Sequence, residues 1–231
     1  MLTEFGGIPL HAPTGSSILV TTAEKGVGWR RLTVKGTPGH GSMPYGSDNA
    51  LVKGAEVVRR LHQYAPKPRL DERWGARVAA MGLPDELSRK LLDPGRLDEA
   101  LAELPKELAA NFHSCSHTTF SPNVIDGGVK TNVIPDKVVI EVDIRTLPGE
   151  TNEDVMDHLR AALGDLFEHV EVEVIQNDVS TASPTDNRLW SALVGAMAAP
   201  YPDARVIPSI VTGGTDARFF RNKAALPAVA M

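Results

Sequence analysis

The chain has 231 residues, of which 42% are hydrophobic and 23% charged, with a formal net charge of -5. This is the composition of an ordinary globular protein with room for one large domain or two of common size. The acidic balance and the lack of basic runs argue against a nucleic-acid partner. The single cysteine, Cys115, excludes an internal disulfide framework and fits a reducing compartment. No apolar run approaches the ~18 residues of a membrane span, so no membrane partner is expected. The N-terminal stretch MLTEFGGIPLHAPTG has no basic segment followed by an apolar one, so a cytoplasmic location is expected.

In chain order, SSILVTT (16–22) and VGWRRLTVKG (27–36) predict strands. In the second, Trp29, Leu32 and Val34 are expected to form one apolar face, although Arg30 and Arg31 blur the alternation. Residues 48–64 predict an amphipathic helix with Leu51, Ala55, Val58 and Leu61 or His62 on its buried face. Residues 65–112 predict a set of proline-punctuated helices, with Pro105 ending or kinking the last. Strands follow at 115–128 and at 137–147. In the latter, Val138, Ile140, Val142 and Ile144 alternate with Val139, Glu141, Asp143 and Arg145, the pattern of a half-exposed antiparallel strand. Thr151 and the acids after it predict a capped helix start, with that helix running to about Leu166. HVEVEVIQ (169–176) predicts another strand.

Without the helical insert, the order from residue 25 to 177 is strand, helix, strand, strand, helix, strand. This is the split ferredoxin-like βαββαβ arrangement. The remainder reads as a helix at 186–198, a strand at 205–212, a glycine turn entering a short helix (GGTDARFFRNK) and a terminal apolar strand (LPAVAM). Residues 1–24 and 178–231 are therefore expected to be segments of one α/β domain. The 25–177 lid, with its insert at about 65–112, interrupts that domain.

Several motifs fall on the loops of this scheme. GTPGHGSMP holds His40 between glycines and prolines, where the backbone can turn sharply enough to project the ring. On its residues alone, His40 could equally cap the next helix or face solvent. KTNVIP offers Asn132, which reads alone as a turn asparagine before Pro135. VDIRT offers Arg145, which reads alone as a surface arginine paired with Asp143 or Glu141. GGTDAR offers backbone N–H groups at a helix start to an anion, with Arg218 beside them and Asp216 as a possible cap. Glu4, in TEFGG, reads alone as an exposed terminal acid. HSCSH brings His113, Cys115 and His117 together, and strand alternation would put all three on one face. Trp29, Trp74 and Trp190 read as packing residues.

Taken together, TEFGG, VKGTPGHGSMPYGSDNA, GGVKTNVIPDK, EVDIRTLPGE and GGTDARFF resemble the co-catalytic zinc hydrolase family of aminoacylases, acetylornithine deacetylase, succinyl-diaminopimelate desuccinylase and glutamate carboxypeptidase. The resemblance implies a zinc-binding catalytic domain interrupted by a lid that also forms the homodimer. It implies two Zn²⁺ ions that polarise an amide carbonyl and activate water. The implied substrates are N-acyl amino acids or small peptides with a free carboxylate. Residue by residue, Glu4 corresponds to a zinc ligand. His40 corresponds to a donor that reaches the partner subunit's oxyanion, and Asn132, Arg145 and Arg218 correspond to groups holding the substrate carboxylate. The family places no ligand at HSCSH. The sequence departs from the family in lacking an upstream His-x-Asp (HAPTG, at His11, is not one), a bridging Asp, a Glu-Glu pair and a final zinc-binding His. The expectation is a fragment that does not retain the metals and is inactive alone. The alternative reading is a non-catalytic dimerisation module.

Overall fold

A computed structural model describes residues 2–3, 6–13, 15–223 and 227–230. The chain opens with strands β1 (Leu2–Thr3), β2 (Ile8–Ala12) and β3 (Gly15–Glu24). It crosses at Lys25 into β4 (Gly26–Val27), β5 (Arg30–Lys35) and a short β6 (Gly39–His40). Helix α1 (Ala50–Gln63) follows, and then the insert helices α2 (Glu72–Ala80), α3 (Asp85–Leu92), α4 (Leu97–Glu103) and α5 (Lys106–Ser116). Strands β7 (Thr119–Gly127), β8 (Val133–Ile134) and β9 (Lys137–Thr146) lead to α6 (Asn152–Leu163), a 3-10 turn (Gly164–His169) and β10 (Val170–Val174). The last part holds β11 (Thr181–Ala182), α7 (Arg188–Ala198), β12 (Ala204–Val211), α8 (Ala217–Lys223) and β13 (Val229–Ala230).

The middle of the chain forms an antiparallel sheet in the order β10, β5, β9, β7. Helix α1 joins β5 to β7 by way of the insert, and α6 joins β9 to β10. This is the βαββαβ arrangement that the sequence predicts. Strand β9 alternates as expected, with Val138, Ile140, Val142 and Ile144 buried against α1 and α6. Thr151 caps α6 in a full capping box with Asp154.

The second sheet is centred on β3. Strand β12 runs parallel to it along one edge, while β2, β13 and β11 lie along the other. Strands from the two ends of the chain thus meet on β3. The core of this sheet is small: Ile18, Val20, Leu193 and Val229 among the described residues. The insert helices build a core of their own around Trp74, Leu91 and Phe112. Pro105 ends α4 and starts α5, as its missing N–H predicts. Helix α2 lies against β12.

Four local expectations are corrected. The buried face of α1 is Ala50, Gly54, Val57 and Leu61, one residue from the predicted stripe, and Leu51 is exposed. Glycine carries no hydrophobic signal, yet Gly54 sets the face. A Cβ there would sit 2.9 Å from Val138 Cγ1, so α1 can approach the sheet only on this side. In β5 the inward residues are Arg30, Leu32 and Val34, while Trp29 lies in the break before the strand and is 38% exposed. Arg30 is accommodated because its guanidinium donates to Trp29 O, Gln176 O, Asn152 Oδ1 and Asn177 Oδ1. The helix expected to reach Leu166 ends at Leu163. There Gly164 takes φ +56 and the chain tightens into the 3-10 turn. Residues 113–116, including Cys115, extend α5, and the following strand begins at Thr119.

Candidate active site

The predicted site residues fall into two groups at opposite ends of the lid sheet. His40 lies in β6, which pairs with β8 so that His40 faces Val133 and Gly39 faces Ile134. The N–H of Gly41 donates to the Asn132 carbonyl at 2.8 Å. A Cβ on Gly41 would sit 3.2 Å from the Asn132 backbone, so this glycine lets the two strands of the ribbon close. His40 and Asn132 are therefore neighbours, and both are exposed. The His40 Nδ1 accepts the Ser42 backbone N–H at 3.2 Å. With Nδ1 accepting, Nε2 is the ring nitrogen left to donate.

Arg145 lies near the far end of β9, facing Thr119 on β7 and Val27 on β4. Its guanidinium grips Asp143 through Nε at 2.6 Å and Nη2 at 3.0 Å. The Trp29 indole N–H donates to the same carboxylate at 2.9 Å. Val27 also exchanges both backbone hydrogen bonds with Asp178. Asp178 in turn accepts Arg218 Nη1 at 2.7 Å. Arg145 and Arg218 are thus linked through the Val27–Asp178 pairing, and each already holds a carboxylate.

The ribbon carrying His40 and Asn132 joins β9 at Lys137. At ~3.3 Å per residue, roughly 26 Å of strand separates that end from Arg145. One chain therefore does not assemble all four residues at one point. Glu4 lies outside the described residues.

The GGTDAR turn differs from its predicted use. The Thr215 N–H donates to Glu24 Oε2, so an internal carboxylate takes the place expected for a ligand. Glu24 is 1% exposed and also accepts the Thr181 hydroxyl at 2.7 Å and Arg221 Nη1 at 3.3 Å. Thr215, not Asp216, accepts the N–H of Ala217 and starts α8. Sequence reasoning missed the Glu24–Arg221 pair, whose members lie 197 residues apart. The missed signal was a charged residue at the end of an apolar strand.

Lys25 was missed as well. Its ammonium donates to Ser114 O at 2.9 Å, His117 O at 2.7 Å and Thr119 Oγ1 at 3.3 Å, closing the C-terminal end of α5. Burial lowers its pKa to about 8, opposed by the nearby Cys115 and Glu150. His113 and His117 stack one helical turn apart at 4.2 Å between ring centres. Burial holds both below the usual histidine range, and burial raises the Cys115 thiol. Among the described residues, no three His, Cys, Asp or Glu side chains converge as metal ligands would. The described residues by themselves do not fit a two-zinc site.

Residues 22–171 match the family described as the peptidase dimerisation domain. The chain belongs to this family. The matched span runs from the end of β3 into β10 and contains the whole ribbon with His40 and Asn132, the insert, and Arg145. A probable carboxypeptidase S-like 2 from Dictyostelium discoideum is 27% identical over 212 residues, covering 88% of this chain and 39% of the relative. The N-fatty-acyl-amino acid synthase/hydrolase PM20D1 of Xenopus tropicalis is 29% identical, covering 88% of this chain and 40% of the relative. Among solved structures, the M20 family metallo-carboxypeptidase Sso-CP2 from Sulfolobus solfataricus shares the fold. Its TM-score is 0.59 at 16% identity, over 92% of this chain and 58% of that one. The peptidase dimerisation domain here thus belongs to a chain that spans about 40% of the length of these curated relatives. Among the described residues, no helix is long and apolar enough to cross a membrane.

Proposed function

We propose that this chain carries the lid of an amide-bond hydrolase whose substrates are N-acyl amino acids or small peptides with a free carboxylate. The lid serves two active sites through a homodimer. The observation that supports this reading is the placement of His40 and Asn132 at one end of β9 and Arg145 at the other, within a span that matches a dimerisation domain. In a two-fold dimer, the ribbon of one subunit meets the Arg145 region of the other.

In this reading His40 donates from Nε2 to the oxyanion formed when the amide carbonyl is attacked, and Asn132 orients the same substrate. A donor aimed at developing charge is worth roughly 3–4 kcal/mol. Arg145 and Arg218 recognise the substrate carboxylate by exchanging Asp143 or Asp178 for it, which keeps each guanidinium paired in both states. Residues 1–24 and 178–231 serve as segments of the catalytic domain. The zinc ions implied by the resemblance would supply the Lewis acid and the attacking water. Glu4 is the one ligand position that the resemblance assigns within this chain.

The test is a chimera in which residues 25–177 replace the lid of the PM20D1-type relative. It is assayed for hydrolysis of N-acyl amino acids alongside the unmodified 231-residue chain. The expected result is a dimeric, zinc-loaded chimera with turnover, lowered about 10²–10³-fold by His40→Ala. The isolated chain is expected to show no turnover. A folded, dimeric, zinc-loaded chimera without turnover would support the plain dimerisation module instead. Two tightly held zinc ions in the isolated chain would overturn the ligand assignment.

A further inference from the structure

Between the insert and the two sheets lies a cavity of about 150 Å³, lined in part by Arg69, Arg73 and Arg77. At ~30 Å³ per water, it has room for about five waters or one small anion. Arg73 and Arg77 are one turn apart on α2 and so face the same side of that helix. Leu70, Trp74, Leu147, Pro148 and Ile210 supply apolar walls, where a charged hydrogen bond is stronger than in open water. The charges around the cavity do not balance. Asp71 pairs with Arg73 Nη2 and also caps α2. Glu150 lies 3.7 Å from Arg69 Nη1. Among the described residues, Arg77 forms no ion pair with a carboxylate. It donates to Asn111 Oδ1 at 2.7 Å and to Cys115 Sγ at 3.5 Å, and it lies over the Phe112 ring. The Arg73 Nε is buried without a hydrogen-bond partner. A buried donor left unpaired is unfavourable, and a ligand that accepts from it recovers that cost.

We propose that this cavity binds a small oxyanion, a carboxylate or a phosphoryl group, held by the Arg69, Arg73 and Arg77 guanidiniums with Arg73 Nε as one donor. The guanidinium fork matches either group with two parallel hydrogen bonds. The site shares no residue with the His40 or Arg145 groups and stands whether or not the proposed hydrolysis is correct. It would tie α2 to β12, the strand that leads into the turn carrying Arg218.

The test is calorimetric titration of the 231-residue chain with inorganic phosphate and, separately, with malonate, at constant ionic strength. Saturable binding of one anion per chain is expected. Arg69→Gln and Arg73→Gln should each weaken it about tenfold, and Arg73→Lys less, because it keeps the charge and loses the fork. Arg69 is 54% exposed, so its replacement leaves the fold intact and keeps the test valid if the Arg73 variants unfold. Stronger binding of phosphate would mark the site as one for a phosphoryl ligand, and stronger binding of malonate as one for a carboxylate. Absence of saturable binding by both anions, or an affinity unchanged by Arg69→Gln, would overturn the proposal.

Discussion

The two sheets of this chain are built on different terms. The lid sheet places its helices on one face and closes over a core of thirteen buried residues, from Leu32 through Ile140 to Leu163. Among the described residues, the sheet centred on β3 gathers four, and it buries Ser17, Thr21, Thr22 and Glu24 along the same strand. The first is stabilised by apolar area removed from water, at roughly 25 cal/mol per Å². The second depends more on paired polar groups, such as Glu24 with Arg221, whose net contribution is small and whose disruption is costly. Their difference teaches that the lid can hold its own shape, whereas the β3 sheet relies on specific pairings across the whole chain.

The same truncation made in both sheets tests this contrast. Ile140→Ala in the lid should lower stability by about 4 kcal/mol, and Ile18→Ala in the β3 sheet by about 2 kcal/mol. Urea unfolding of the two variants checks this, and the reverse order would break the comparison. Lys25, at the crossing between the sheets, tests it through pH. Below about pH 8 its ammonium is protonated in both the folded and unfolded chain, and the effect of burial is constant. Between about 8 and 10.5 the unfolded chain alone keeps the proton, so stability should rise with pH by up to about 3 kcal/mol. Lys25→Met should flatten that rise when urea midpoints are followed across the window. Gly54→Ala should cost about 1–3 kcal/mol by pushing α1 off Val138, as thermal unfolding would report. His40→Ala should change stability by less than about 0.5 kcal/mol, because the ring is exposed. A larger loss in thermal unfolding would make His40 a structural residue of the ribbon.

The lid was largely legible in the sequence. The alternation of β9 and the Thr151 cap are local signals, and local signals survive folding. What stayed hidden depends on long-range geometry. Gly54 marks the packed face of α1 by what it lacks, and a hydrophobicity pattern cannot register that. Arg30 sits inward because three acceptors from distant segments, Asn152, Gln176 and Asn177, meet it beside the Trp29 carbonyl. The GGTDAR turn looked like an anion site and is one, but the anion is Glu24 from the other end of the chain. For Arg145, the Asp143 partner was readable from spacing two along a strand. That Arg145 and the ribbon carrying His40 lie at opposite ends of β9 followed only from the register.

The central claim is that His40 of one subunit reaches the Arg145 region of its partner. It is tested most directly by an inter-subunit distance. Spin labels are placed at His40→Cys in one population and Arg145→Cys in another, both in a Cys115→Ala background, and the two are mixed before pulsed electron–electron resonance. The account predicts a dimer with an inter-subunit separation well below the roughly 26 Å that the strand imposes within one chain. A monomer, or an inter-subunit distance longer than that, would contradict it.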